Sequence, residues 1–168
     1  MSLIFRAERP SDIAAIEQLT REAFLDEAHS SHTEQYIVNA LRAAGALTLS
    51  RVAEEDGVVV GHASISPVLL SSGEPGWYGL VPVSVAPARQ GQGIGSQLVR
   101  QLLEQLRALG AAGCVVLGDP GYYGRFGFAA GRGPLLPGVP AEYFQALSFN
   151  GPCPTGEVSF HAAFDAQA

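Results

Sequence analysis

Gln90-Gly91-Gln92-Gly93-Ile94-Gly95-Ser96 sets three glycines at alternate positions, after an apolar run and at the start of an amphipathic helical pattern. Phosphate is the natural ligand of such a junction, because the first amides of a helix lack acceptors within it and its dipole favours an anion. Glycine admits the phosphate to the backbone because no Cβ stands in the way. A turn that only tightened strand-to-helix packing would not need three glycines, so a phosphate-bearing ligand is expected. Gly91-x-Gly93-x-x-Ser96 is also a degenerate dinucleotide fingerprint, with Asp119 where a ribose-binding acid would stand. Against that reading, Pro87 to Gln90 separate the strand from the glycines, Pro120 directly follows Asp119, and no further strand-helix units come after.

The other reactive side chains narrow the chemistry. All ten basic residues are arginines, which excludes mechanisms built on lysine, such as a P-loop or a Schiff base. Sixteen acidic residues leave a net charge of -6 with the arginines scattered along the chain, so no nucleic acid is expected as a partner. Cys114 lies in an apolar run and Cys153 in a Pro-flanked loop. Neither forms a CxxC or stands beside a histidine at ligand spacing, and both read as structural. His29 and His32 share a polar loop without a third ligand nearby, so no metal is expected. His62, between Gly61 and Ala63, reads as a polar residue on the less buried face of its strand, and His161 reads the same way. Trp77 and Tyr78 read as core, with an acceptor pocket as the alternative.

These residues need elements to position them, and a chain of 168 residues with 47% apolar content fits one α/β domain with a sizeable core. Residues 3–8 read as a strand. Pro10 and Ser11 then open a helix striped by Ile13, Ile16, Leu19, Ala23 and Phe24. Thr33 caps a second helix, with Tyr36, Ile37, Ala40, Leu41 and Ala44 on one face, until Gly45 stops it. Strands over 47–54 and 58–68 flank Asp56-Gly57, a strong hairpin signal. A third strand over 77–86 contains Pro82, which cannot donate to a ladder and implies a bulge, an edge or a parting of strands. Ile94, Leu98, Val99, Leu102, Leu103, Leu106 and Leu109 stripe a helix that ends at Gly110, and residues 113–118 follow as a buried strand. The strand-helix-strand unit from Val83 to Gly118 should be parallel, so a mixed, mostly antiparallel sheet is expected. Val83 to Ala86 and Cys114 to Leu117 are expected as parallel neighbours that splay apart. Residues 143–149 and 156–164 look like a closing hairpin. No apolar run approaches the roughly 18 residues that cross a bilayer, and the first residues lack a signal peptide's pattern, so no membrane association and a cytoplasmic location are expected.

Gln90-x-x-Gly93-x-Gly95, preceded by Val83-Ser84-Val85-Ala86-Pro87, resembles the acetyl-CoA loop of the GNAT superfamily of N-acetyltransferases, [RQ]-x-x-G-x-[GA] after a strand. Tyr122-Tyr123-Gly124-Arg125-Phe126-Gly127-Phe128 resembles that family's tyrosine followed four residues later by Gly-Phe. Leu117-Gly118-Asp119-Pro120, the strand from Gly61 to Val68 and the segment from Val158 to Phe164 look closest to the YhbS-like branch of predicted acetyltransferases. The resemblance spans nearly the whole chain. It implies a GNAT-like α/β fold, acetyl-CoA as cosubstrate in a V-shaped opening between two parallel strands, and an amine acceptor.

By the same resemblance, Val83, Ser84 and Val85 would pair with the pantetheine amides. The pyrophosphate would sit on amides of Gln92, Gly93, Ile94, Gly95 and Ser96, with Gln90 or Arg89 nearby; Gly91, Asp119, Tyr122 and Tyr123 complete the expected cofactor site. Direct attack of a neutral amine on the thioester needs a base for the incoming ammonium and an acid for the leaving thiolate. Many members carry a glutamate on the strand before the loop, whereas Gly79 to Val85 holds no acidic residue. Glu27, Glu34, His32 and His62, or an ordered water, are the candidate bases; among them Glu34 is the expected catalytic residue, although its place also suits a helix's first turn. Tyr123 is the expected acid, since a phenol of ordinary pKa about 10 stays protonated at neutral pH, with Tyr122 as its substitute. The acceptor is a primary amine of a small molecule or a protein, and a homodimer is compatible with this reading. A non-catalytic acyl-CoA-binding module and an NAD-dependent oxidoreductase are the alternatives.

Overall fold

The computed structural model describes residues 3–27, 30–131 and 133–167. They form two compact units, the first within positions 3–65, 82–102 and 162–167, the second within 66–81 and 103–161. The sheet is mixed and mostly antiparallel. No described helix is long and apolar enough to cross a membrane.

In the first unit, β1 (Leu3–Ala7) pairs antiparallel with β2 (Leu49–Glu55), which pairs antiparallel with β3 (Val58–Leu70) as far as Ile65, the last residue of β3 in this unit. Asp56 and Gly57 join β2 to β3 at φ +52° and +81°, the left-handed pair of a two-residue hairpin turn. The register slips between Ala53, opposite Gly61, and Glu54, opposite Val59, which leaves Val60 as an extra residue in β3. Its carbonyl accepts instead from Ala86 N at 2.9 Å. α1 (Ile13–Phe24) and α2 (Glu34–Ala43) cover this unit, with Ile16 of α1, Val38 of α2 and Val52 of β2 in one buried cluster. The buried face of α2 is Gln35, Ile37, Val38 and Leu41, rotated from the expected stripe because Val38, unforeseen there, takes the central place. A 3-10 turn at Ala162–Asp165 lies against α2.

α3 (Ile94–Ala108) begins in the first unit and ends in the second. A Cβ on Gly61 of β3 would lie 2.8 Å from Ile94 Cγ2 and 3.2 Å from Leu98 Cδ1, so glycine there lets the helix approach the strand.

β4 (Trp77–Val85) passes from the second unit into the first after Val81, and its second-unit part runs parallel to β5 (Gly113–Leu117), as expected of strands joined through a helix. Their ladder holds Trp77↔Gly113, Tyr78↔Cys114 and Gly79↔Val115 and stops there, although β4 runs on to Val85 and β5 to Leu117. The paired residues therefore lie earlier on β4 than the expected Val83 to Ala86. The reason is register: with Gly113 opposite Trp77, the five-residue β5 ends before it could draw level with Pro82. β7 (Phe144–Ser148) runs antiparallel to β5 and to β6 (Ala129–Ala130), while β8 (Val158–Phe160) pairs with Val68–Leu70 of β3. The expected closing hairpin is thus not formed. Both edges of β7 are occupied, so β8 turns to β3. Val68, Leu70, Trp77, Val115, Phe144, Ala146 and Val158 form this unit's core.

Candidate active site

The glycine loop lies between a 3-10 turn at Pro87–Arg89 and α3. Gly91 and Gly93 adopt φ +76° and +85°, and a Cβ on either would meet nothing within 4 Å. These two glycines are required by backbone shape, and the surface they leave bare is open to a ligand. Gly93 O accepts from Gln97 N at 3.1 Å, which makes Gly93 the residue from which α3 starts. Gly95 and Ser96 are already helical and buried. The loop is braced by Gln90 Nε2 donating to Val85 O at 3.1 Å, by Arg89 N donating to Ala86 O at 2.8 Å, and by Arg89 Nε donating to Gln92 Oε1 at 2.9 Å. On β4, Val83 and Val85 are half-buried and Ser84 is buried, its Oγ without a hydrogen-bonding partner among the described residues.

The second unit carries the tyrosines on a short helix, α4 (Pro120–Tyr123). Asp119 caps it: Oδ1 accepts from Gly121 N at 2.9 Å, and its carbonyl accepts from the amides of Tyr122 and Tyr123 at 3.0 Å each. Asp119 is therefore engaged in shaping this turn, as proline at N1 and an acidic N-cap dispose it to be. Tyr123 packs edge-on against Tyr122 and Phe128, with centroids 4.9 and 6.1 Å away. Burial pushes its phenol above the ordinary range, with the charges of Tyr122 and Cys114 adding to the effect. Tyr122 lies beneath the Arg125 guanidinium at 4.6 Å.

Gln145 was not foreseen. It is 1% exposed, and its Nε2 donates to Gly118 O at 3.2 Å, while Gly118 N donates to Tyr143 O. β7 thereby fixes the end of β5 from which the tyrosine turn departs. Its alternating context, Phe144-Gln145-Ala146, offered only the reading of an outward polar residue.

Of the candidate bases, Glu27 and His32 are exposed. Glu34 is partly buried at the start of α2; its Oε2 accepts from Ser30 Oγ at 2.7 Å, and its Oε1 is buried without a partner among the described residues. His62 is fully buried, contrary to the expectation of an outer strand face. The face it shares with Val52 is the one that α1 and α2 cover. Ser50 Oγ donates to Glu8 Oε1 at 2.6 Å and stands 2.8 Å from His62 Nε2. That arrangement assigns the proton to Nε2 and leaves Nδ1 unpartnered among the described residues. Desolvation lowers the imidazole to about 4, with the Arg42 charge adding to it and those of Glu8 and Asp12 opposing it. A ring this buried and this weakly basic is a poor general base. The Cys114 thiol, also fully buried, is pushed far up by desolvation and is inert. His29, half of the pair considered for a metal, lies outside the described residues, among which no group of three or more His, Cys, Asp or Glu could hold a metal ion.

The chain thus runs from a strand through a glycine loop with left-handed residues into a long amphipathic helix, and on to a parallel strand and a tyrosine turn, an α/β arrangement. The acetyltransferase (GNAT) family model matches residues 13–128, and the chain belongs to this family of N-acetyltransferases. It is 39% identical over 127 residues to the uncharacterised N-acetyltransferase YhbS of Escherichia coli strain K12, across 75% of this chain and 73% of that protein. A GNAT-family acetyltransferase from Brucella melitensis, solved in complex with acetyl-CoA, is similar with a TM-score of 0.88 at 56% identity, over 98% of this chain and 99% of that one. YhbS from Escherichia coli in complex with CoA gives 0.85 at 36% identity, over 99% and 93%.

Proposed function

We propose that this chain transfers the acetyl group of acetyl-CoA directly to a primary amine of a small molecule or a protein. The observation that carries the reading is the left-handed pair Gly91 and Gly93, uncovered at the start of a 15-residue helix. The relatives solved with acetyl-CoA and with CoA support the same ligand here.

In this reading the amides of Gln92 to Ser96, with Gln90 and the bare backbone of Gly91, hold the pyrophosphate. The β4 backbone at Val83, Ser84 and Val85 pairs with the pantetheine arm; these residues lie beyond the last rung that β4 shares with β5. Asp119 serves as the cap of the tyrosine turn. Transfer forms a bond from the amine nitrogen to the thioester carbonyl carbon and breaks the carbon–sulfur bond. Tyr123, kept protonated by burial, gives its proton to the departing sulfur and is reprotonated from solvent. The proton lost by the ammonium passes to an ordered water or to Glu34, whose Oε1 lacks a partner among the described residues. A net charge of -6 favours a cationic acceptor over an acidic one.

A screen of primary amines with acetyl-CoA, read by release of free thiol, tests the proposal. Turnover with at least one amine, together with a melting temperature raised by acetyl-CoA and unmoved by NAD, is the expected result. Binding without thiol release from any amine would favour a non-catalytic acyl-CoA module, and stabilisation by NAD alone would overturn the reading.

A further inference from the structure

We propose that Glu55 is a positioning residue for the glycine loop: it holds Arg89, and through Arg89 the side chain of Gln92, so that the loop stands ready for phosphate. The proposal rests on reading that loop as the acetyl-CoA site. The loop needs such a restraint, since Gly91 and Gly93 carry no side chains to pin them and glycine has the most conformational freedom to lose.

Glu55 supplies the restraint from firm ground. It is the last residue of β2, directly opposite Val58 across the hairpin. Its carboxylate pairs with Arg89 Nη1, while Arg89 Nε donates to Gln92 Oε1 at 2.9 Å. The Arg89 and Glu55 side chains are 23% and 16% exposed, so water and salt weaken the pair less than they would on an open surface. Guanidinium offers donors only, so Gln92 must present its oxygen to Arg89, and its NH2 group is the end left to donate elsewhere. Glu55 thus orients two loop side chains at once. The same carboxylate would also repel phosphate, so removing it has two opposed consequences that experiment can separate.

Calorimetric titration of acetyl-CoA into the full chain, wild type and the variants Glu55→Gln, Arg89→Met, both together, and Glu55→Asp, tests the proposal. Each of the first two variants should weaken binding roughly three- to tenfold, and the double variant should be no weaker than the weaker single. Glu55→Asp, which keeps the charge, should recover most of the affinity, and all four variants should melt within about 4 °C of wild type. Wild-type affinity in Glu55→Gln, additive losses, or an equal loss in Glu55→Asp would overturn it. Tighter binding by Glu55→Gln would also overturn it, by making Glu55 a competitor of phosphate for Arg89. Wild-type chain that does not bind acetyl-CoA would overturn the loop reading itself, a result seen before any variant is made.

Discussion

Gly118 and Tyr123 stand so close that a Cβ on Gly118 would lie 2.6 Å from Cε2 of the tyrosine ring. The ring is thereby seated against the end of β5, where its hydroxyl can be presented in one fixed position. Tyr123→Phe, which keeps the ring and its packing, should slow acetyl transfer roughly ten- to a thousandfold with little change in acetyl-CoA affinity or melting temperature. Because burial raises the phenol's pKa, the alkaline limb of the rate profile should show no loss of activity near the ordinary phenol value. Wild-type turnover by the variant, measured where chemistry limits, would assign the proton to water.

Gly93 is glycine for its φ of +85°, since a Cβ there would touch nothing within 4 Å. Gly93→Val should therefore lose acetyl-CoA affinity by roughly tenfold or more, through about 1–2 kcal/mol of backbone strain and displacement of the phosphate. Gly93→Asn, whose side chain tolerates the left-handed region, should keep more of it. Calorimetry on both variants distinguishes a backbone requirement from a requirement for empty space.

His62 makes the fold sensitive to acid. Its imidazole is lowered to about 4 from an ordinary 6.5, so between these values the unfolded chain binds a proton that the folded chain refuses. The stability it contributes is complete above pH 6.5 and declines as the pH falls toward 4, by roughly 3 kcal/mol over that span. Urea unfolding across this range should show the slope, and His62→Gln should flatten it. An unchanged slope would mean that the ring takes up its proton without cost.

At Gly113 the constraint is steric. An added Cβ would fall 2.6 Å from Trp77 Cζ3 and 2.7 Å from Leu147 O, in the middle of three paired strands. Gly113→Ala should cost about 1–3 kcal/mol, lowering the melting temperature by several degrees, and scanning calorimetry would measure it.

What could be read in advance was local. The Asp56-Gly57 hairpin, the stripe of α3 and the glycine loop before it are each written in a few adjacent residues, although the left-handed φ of Gly91 and Gly93 emerged only with the structure. The partners of β7 and β8 were not legible, since Phe144–Ser148 and Val158–Phe160 look alike as short apolar runs and only the occupied edges of β7 decide between them. His62 misled because strand alternation marks two faces without saying that helices cover both. Arg89 was legible as a neighbour of the expected pyrophosphate, but its partner Glu55, 34 positions away, was not, because only the fold brings the two together.

The pairing of β8 with β3 has a consequence for biosynthesis. Val158 meets Leu70 across more than half of the chain, and Ala162–Asp165 lies against α2. Neither unit can finish assembling on the ribosome until these late residues have left the exit tunnel. Until then Val68, Leu70 and Trp77 await Val158, and such long-range closures are slow and expose apolar surface meanwhile. A nascent chain stalled before Val158 would have its glycine loop already synthesised while this part of its sheet still lacked a strand.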